Sequence, residues 1–291
     1  MGTGADAADG AIEVGAAALV LLGAVLHAAW NAIIKVQGDR VVGMALITVA
    51  GTVAGAAVLP FVPLPDAASW PYLAAALACH FGYYLALARA YGIGDFSQVY
   101  PIARGVTPML VAFGAFVVAG ERIATLAALG MILVTGGIAV LAYIPGRQVD
   151  WRAVLAALAT AAWVAVSSII DGMGVRRAGE PLSYLAWLFV LDGGPIVALC
   201  LWRYGGRDLL RRARPIAAFG LLGGLMAVAS YGLAVWAMAS APMGLVVALR
   251  ETSVVFGAAI GALVFREAFG ARRIAAAIGV AAGIALIKLA G

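Results

Sequence analysis

The sequence predicts an all-α polytopic membrane protein in which ten transmembrane helices form two inverted five-helix repeats around a central cavity. Three observations lead to this prediction: the composition, the number of long apolar segments, and an internal similarity at a constant offset. Of the 291 residues, 65% are hydrophobic and 11% are charged. Soluble domains average roughly 45–50% apolar and about 25% charged residues. The composition therefore indicates a protein that lies largely within a membrane.

Ten apolar segments are long enough to cross a bilayer, which requires about 20 mostly apolar residues in a helix. Glycine, proline and charged residues separate these segments, as expected where helices end. The segments are residues 14–34, 41–62, 70–90, 97–118, 124–143, 152–170, 181–202, 214–239, 243–265 and 272–290. Residues 1–13 contain acidic but no basic side chains, so they are predicted to be a flexible tail and not a signal peptide.

An internal similarity divides the rest of the chain into two copies. At an offset of 146 residues, Arg104 aligns with Arg250 and Gly137 aligns with Gly283. The predicted copies are residues 14–144 and residues 145–291. Because each copy holds an odd number of helices, the second copy enters the membrane from the opposite side, which makes the two copies inverted repeats. Transport proteins commonly have this architecture, with the substrate site near the midplane where the repeats meet.

Lysine and arginine are concentrated in the connections after the odd-numbered segments. These are Lys35, Arg40, Arg89, Arg147, Arg152, Arg203, Arg207, Arg211, Arg212, Arg214, Arg266, Arg272 and Arg273. The opposite side holds Arg122, Arg176, Arg177 and Lys288. Because cytoplasmic loops are enriched in basic residues, both termini are predicted to lie outside the cytoplasm.

Several motifs connect the chain with a known family. They are HAAWN (27–31), the helix of each copy that ends in GER (120–122) or FRE (265–267), and the glycine-rich fifth helix that follows. With these motifs the chain resembles the ten-helix drug/metabolite transporter superfamily of the EamA type. The resemblance implies a basket of helices that works by alternating access in a bacterial inner membrane, here with both termini on the periplasmic face. Within that superfamily, the chain looks most like bacterial exporters of amino acids, including aromatic ones.

Polar and aromatic side chains inside the predicted helices are candidates to line the cavity, because a polar group facing lipid costs several kcal/mol. On the first segment, His27, Trp30 and Asn31 share one helical face, and Asp171 follows Ser167 on the polar face of the sixth. The candidate substrate-binding residues are Trp30, Asn31, His80, Tyr84, Tyr100, Trp163, Ser167 and Tyr231. The alternatives are that the polar groups tie helices together and that the aromatic groups form interfacial belts.

Charged residues within the predicted helices are the second set of candidates, because intramembrane charges are costly and often functional. Arg104, Arg250 and Glu251 are predicted to form gates or to hold a substrate carboxylate, with a static ion pair as the alternative. Asp192 lies in LDGGP (191–195), where glycines and a proline weaken the helix. It is the candidate for binding a coupling proton or sodium ion, or for capping the second half of a broken helix.

Three classes of function compete at this stage. The first is a secondary transporter that exports amino acids or similar small amphipathic metabolites, with efflux of lipophilic cations as its rival. The second, an intramembrane enzyme, is not expected, because the sequence has only two histidines and no HExxH, GxSxG or paired-aspartate signature. A Walker motif is also absent, so ATP is not expected to drive the process directly. The third is a membrane structural protein without transport. The expected partners are a small amphipathic substrate and the lipid bilayer, with no nucleic acid, cofactor or metal. A monomer is expected, with a dimer as the alternative.

Overall fold

The computed structural model describes residues 12–35, 40–93, 96–142, 150–264 and 271–290. Within these ranges the chain is helical and contains no strand, as the sequence predicts. The α-helices are α1 (Val14–Lys35), α2 (Arg40–Val58), α3 (Trp70–Ile93), α4 (Phe96–Ala119), α5 (Thr125–Ala142), α6 (Trp151–Val175), α7 (Pro181–Tyr204), α8 (Gly206–Ala213), α9 (Ala217–Met238), α10 (Met243–Glu251), α11 (Ser253–Val264) and α12 (Ala271–Leu289).

Many of these helices can cross a bilayer. Within the described ranges, five helical segments are long and apolar enough to do so alone: Val14–Ile33, Val42–Phe61, Trp151–Val175, Pro181–Tyr204 and Gly206–Met238. Shorter apolar helices are Ala103–Ala119, Thr125–Val140 and Ile274–Leu289. Large apolar side chains such as Phe113, Phe116 and Leu129 point outward, as expected for helices solvated by lipid. The prediction of an all-α, multi-pass membrane protein is therefore confirmed.

The ninth predicted segment, residues 243–265, is interrupted at Thr252, between α10 and α11. The Thr252 hydroxyl donates to the Leu249 carbonyl at 2.6 Å, and the Thr252 amide donates to the same oxygen at 3.3 Å. Such i to i−3 bonds tighten a helix locally and interrupt its regular ladder. The prediction of one continuous helix was wrong here, because an apolar run does not reveal where a threonine will bond to its own backbone.

Two further differences concern α7 and α8. The weakened stretch LDGGP does not break α7, which runs continuously through Pro195. Gly193 lies directly against Thr52 of α2, so packing supports α7 where its own sequence is weak. The second difference is that α8 forms between the seventh and eighth predicted segments, where no helix was predicted. It is a short amphipathic helix that exposes Arg207, Arg211 and Arg212.

The tightest helix crossing lies between α5 and α12. A methyl group added to Gly283 would come within 2.6 Å of the Gly130 carbonyl oxygen and 2.8 Å of Val134. A methyl group added to Gly137 would meet the Ala276 carbonyl oxygen at 2.9 Å and Val280 at 2.8 Å. The two contacts are related by the offset of 146 residues. Subtracting 146 from Gly283 gives Gly137, and adding 146 to Gly130 and Val134 gives Ala276 and Val280. Small residues allow the two backbones to approach this closely.

Packing between the two halves of the chain follows the same correspondence. Helix α1 packs against α9, while α6, which corresponds to α1, packs against α3, which corresponds to α9. Helices α2 and α5 each pack against their own counterparts, α7 and α12. Helix α4 packs against α6, and α1 packs against α10 and α11. The bundle is therefore held together largely by contacts between its halves.

At one end of the bundle, connections that are distant in sequence contact one another. The Asp66 amide donates to the Ala178 carbonyl at 3.1 Å. Arg176 pairs with Glu121 at 2.6 Å, and the other carboxylate oxygen of Glu121 accepts the Met243 amide at 2.9 Å. The connections after α2, α4, α6 and α9 thus meet at one end.

Candidate functional site

His80 of α3 lies between two aspartates that belong to two other helices. Its Nδ1 is 3.0 Å from Oδ1 of Asp192 on α7, and its Nε2 is 3.1 Å from Oδ2 of Asp171 on α6. The ring of Tyr231 on α9 contacts the imidazole edge to face, with 5.7 Å between ring centroids. The Tyr231 hydroxyl lies 3.3 Å from Nε2. Four helices therefore converge on one imidazole.

Asp171 is fully buried, and every contact that it makes in this group is with a hydrogen-bond donor or with His80. Its Oδ1 accepts a hydrogen bond from the Tyr184 hydroxyl at 2.9 Å, and its Oδ2 accepts one from the Tyr231 hydroxyl at 2.5 Å. A carboxylate tolerates burial only with such partners. We call His80, Asp171, Asp192, Tyr184 and Tyr231 the imidazole–carboxylate cluster.

Only part of this cluster was predicted from the sequence. His80, Tyr231 and Asp192 were candidates, and Asp171 was placed on a polar helical face but just beyond the predicted end of the sixth segment. In the structure, α6 continues to Val175 and carries Asp171 inside the bundle. The available signal was helical spacing, since Asp171 lies one turn after the buried Ser167. Tyr184 had no comparable signal, because its partner is defined only by the packing of α6 against α7.

A second polar group surrounds Arg104 of α4. Its Nη1 donates to both carboxylate oxygens of Glu251, at 2.9 and 3.3 Å, and its Nη2 lies 3.1 Å from Nε2 of His27. Trp30 Nε1 donates to His27 Nδ1 at 3.3 Å. A neutral imidazole accepts at only one nitrogen, so His27 can satisfy one of these two donors at a time. Glu251 is fully buried, and Arg104 is nearly so.

Arg250 of α10 has different surroundings, although it corresponds to Arg104. It is 6% exposed, and its Nε and Nη1 atoms are buried without a hydrogen-bond partner among the described residues. Its guanidinium lies over the ring of Tyr231, 5.1 Å from the ring centroid. A cation–π contact of this kind attracts the charge but leaves the N–H groups without acceptors. Arg250 is thus a buried cation with unused hydrogen-bonding capacity.

Three of the predicted substrate-binding residues make other contacts. Asn31 donates to the carbonyl of His27 at 2.7 Å, and Ser167 donates to the carbonyl of Val164 at 3.0 Å, so both bond to their own helices. The Trp163 ring packs against Gly82 of α3 and is 40% exposed. Two predicted residues, Tyr84 and Tyr100, have side chains outside the part of the chain that the structure describes.

Tyr231 joins the basic and the acidic parts of this interior. One face of its ring supports Arg250, and its hydroxyl contacts Asp171 and His80. A cation with free donors therefore lies one tyrosine ring away from a group rich in carboxylates. In the part of the chain that the structure describes, no group of three or more His, Cys, Asp or Glu residues is arranged to hold a metal ion.

Comparisons with known proteins agree with this architecture. One solved structure, described only as "Crystal structure of protein", superposes with a TM-score of 0.74 over 94% of this chain and 96% of its own, at 18% sequence identity. None of the curated proteins matches the chain by sequence. Residues 151–289 match the model of the EamA-like transporter family. This match agrees with the superfamily that the sequence resembles, and it covers a little under half of the chain; together with the apolar helices, it suggests a multi-pass membrane transporter of small solutes.

Proposed function

We propose that the protein exports amino acids with bulky apolar side chains, or similar small amphipathic metabolites, across a bacterial inner membrane by alternating access. The observation that carries this proposal is Arg250, a buried guanidinium with two nitrogens that have no acceptor among the described residues. An unsatisfied buried cation is costly, and a carboxylate is the group that best satisfies a guanidinium. A substrate carboxylate would supply the missing acceptors.

The surroundings of Arg250 favour a zwitterion over a simple anion. The imidazole–carboxylate cluster contacts the hydroxyl of the same Tyr231 and contains two aspartates, which attract an ammonium group. The aromatic face of Tyr231 lies between the two charged regions. An α-amino acid has its carboxylate and ammonium close together, with a side chain that can rest on aromatic surface. Its charges match this arrangement.

Alternating access requires two halves that can rearrange about a common site. The reciprocal glycine contacts of α5 and α12, and the exchange of helix partners between the halves, support the proposal that residues 14–144 and 145–291 are inverted repeats. The polar groups come from both halves, since His80 and Arg104 belong to the first and Asp171, Tyr231 and Arg250 to the second. Relative movement of the halves would therefore change the site directly.

Efflux of lipophilic cations is the second candidate, and the two aspartates favour it. A drug cation without a carboxylate would use Asp171 and Asp192 and leave Arg250 without acceptors. The two candidates therefore differ in whether Arg250 contributes to recognition of the substrate.

Substrate exchange in proteoliposomes separates these candidates. The purified protein is loaded with unlabelled phenylalanine, and the entry of labelled phenylalanine, phenethylamine and hydrocinnamate is compared. Export of amino acids predicts that phenylalanine exchanges faster than the analogues that lack either its carboxylate or its ammonium. In Arg250→Gln, the concentration for half-maximal phenylalanine exchange should rise about tenfold or more, since a charge-assisted hydrogen bond contributes about 1.5–3 kcal/mol.

The matched control is Arg122→Gln, because Arg122 is exposed at the end of the bundle. This variant should exchange phenylalanine as the unaltered protein does. If phenethylamine or tetraphenylphosphonium exchanges faster than phenylalanine, and Arg250→Gln does not change that rate, export of amino acids is rejected. Efflux of cations is then favoured.

A further inference from the structure

The imidazole–carboxylate cluster contains a geometric constraint on its protons. Both ring nitrogens of His80 lie within 3.1 Å of a carboxylate oxygen, Nδ1 of Asp192 and Nε2 of Asp171. Carboxylates only accept hydrogen bonds, and a neutral imidazole has only one N–H group. Both contacts can be hydrogen bonds only if the group holds one more proton, either on the imidazole or on one of the aspartates.

The tyrosines cannot supply this proton to the His80 contacts. The Tyr184 hydroxyl donates to Oδ1 of Asp171, and the Tyr231 hydroxyl donates to Oδ2 of Asp171. Both stabilise negative charge on Asp171, which favours placing the additional proton between the imidazole and Asp192. With that proton, the His80, Asp171 and Asp192 side chains together carry a single negative charge. Without it, they carry two negative charges in a nearly buried site, which is costly.

We propose that His80, Asp171 and Asp192 form a proton-binding site that exchanges its proton for the ammonium group of the substrate. This inference rests on the proposed function, since it gives the transported amino acid a counter-ion. In the step that we propose, the substrate ammonium takes the place of the additional proton near the two aspartates, and the released proton leaves to the cytoplasm. After the substrate departs on the other side, a proton from that side returns to the same three residues.

Charge is balanced at each stage of this exchange. One proton and one ammonium group each bring a single positive charge, so the cluster has the same net charge with either. The substrate carboxylate is matched by Arg250, which lies over the ring of the same Tyr231. One amino acid moved outward is thus linked to one proton moved inward, and a zwitterionic substrate adds no charge of its own.

The remaining titratable groups near the cluster are consistent with this assignment. They come from each of the helices around His80: Cys79 on α3, Tyr184 on α7, Tyr231 on α9 and Arg250 on α10. Cysteine and tyrosine are neutral near pH 7 with ordinary pKa values, and arginine stays charged. On α4, Arg104 is paired with the carboxylate of Glu251. Among the residues that the structure describes here, His80 and its two aspartates are therefore the groups whose protonation can change with the substrate.

The experiment compares two rates in the same proteoliposomes. Phenylalanine exchange without a pH gradient measures transport alone, whereas net phenylalanine uptake against its gradient, driven by an imposed pH difference, measures coupling. An internal pH dye records the proton flux that accompanies uptake. Coupling predicts net uptake that requires the pH difference and a proton flux about equal to the phenylalanine flux in the opposite direction.

Asp192→Asn tests the residues. In this variant the asparagine amide N–H can donate to Nδ1 of a neutral His80, whose Nε2–H donates to Asp171, so the additional proton is no longer needed. The ratio of gradient-driven uptake to exchange should fall at least tenfold, while a general loss of folded protein would lower both rates and leave the ratio unchanged. The matched control is Asp208→Asn on the exposed helix α8, which should leave the ratio at the value of the unaltered protein.

The outcomes separate the two proposals. If phenylalanine exchanges but the pH difference does not drive its uptake and no proton flux accompanies it, the proposed proton site is rejected. Export of amino acids is not rejected by that result. A ratio that is unchanged in Asp192→Asn also overturns the proton site. Absence of phenylalanine exchange in the unaltered protein rejects the proposed function first, before coupling is measured.

Discussion

Arg104 and Arg250 occupy corresponding positions in the two halves, yet their surroundings differ. Arg104 is matched by the carboxylate of Glu251, whereas Arg250 lies over an aromatic ring with N–H groups to spare. Glu251 corresponds to Gly105 in the first half, so the carboxylate that completes one arginine has no equivalent for the other. Two arginines related by the 146-residue offset therefore differ in environment because one of them has a carboxylate neighbour and the other does not.

This difference leads to a stability prediction for the pair of Arg104 and Glu251. In Arg104→Met the Glu251 carboxylate remains buried without its cation, which typically costs about 3–5 kcal/mol. The thermal unfolding midpoint in detergent should fall markedly. Adding Glu251→Gln removes the unpaired charge, so the double variant should recover most of the loss. If the double variant is no more stable than Arg104→Met alone, the ion pair does not hold these helices together.

At the same scale, the sequence predicted which polar residues lie inside but not which of them meet. His80, Arg104, Arg250 and Glu251 were expected in the interior because lipid does not tolerate polar groups. Their partners come from helices far away in the chain, and helical periodicity carries no information on that pairing. Asp171 shows the consequence, since its place at a segment boundary was equally consistent with exposure to water until the two tyrosine hydroxyls were known.

At the scale of elements, most helix ends were predicted closely, with the ends of α2 and α6 as exceptions, whereas internal breaks were predicted poorly. Ends are marked in the sequence by glycine, proline and charge. The break at Thr252 depends on one side-chain hydrogen bond, and the continuity of α7 through Pro195 depends on packing against α2. Short amphipathic α8 was also missed, because its arginines indicate a connection as readily as they indicate a helix at a membrane surface.

Near the crossing of α5 and α12, replacing either of two glycines by alanine should change the stability of the protein in opposite directions. Gly136→Ala places a methyl group in open space, since nothing lies within 4 Å, and alanine favours helix by up to about 1 kcal/mol. Gly283→Ala forces the backbones apart, because its methyl group would lie 2.6 Å from the Gly130 carbonyl oxygen. Overpacking of this kind costs about 1–3 kcal/mol.

Thermal unfolding of the two variants in detergent checks this prediction. Gly136→Ala should unfold at or slightly above the temperature of the unaltered protein, and Gly283→Ala should unfold below it. Equal midpoints for the two variants would mean that α5 and α12 do not approach as closely as the structure indicates.

For the whole molecule, the exposed arginines of α8 lie opposite the end of the bundle where the connections meet, which we call the closed end. The connections after α2, α4, α6 and α9 meet at one end through the contacts of Asp66, Arg176 and Glu121. Helix α7 begins at that end and has 24 residues, which corresponds to about 36 Å at 1.5 Å per residue. Helix α8 must therefore lie at the other end, where its exposed arginines can face anionic lipid head groups.

Enrichment of basic residues in cytoplasmic loops then predicts that α8 faces the cytoplasm and that the closed end faces outward. Labelling of single cysteines tests this orientation after Cys79 and Cys200 are replaced by serine and alanine. In intact cells, a membrane-impermeant maleimide should label Arg122→Cys at the closed end. It should label Arg211→Cys, whose side chain is 79% exposed on α8, only after the membrane is permeabilised. The reverse labelling pattern would show that the protein has the opposite orientation in the membrane. The bundle and its interior charges would stay the same, but the proposed direction of proton entry would be inverted.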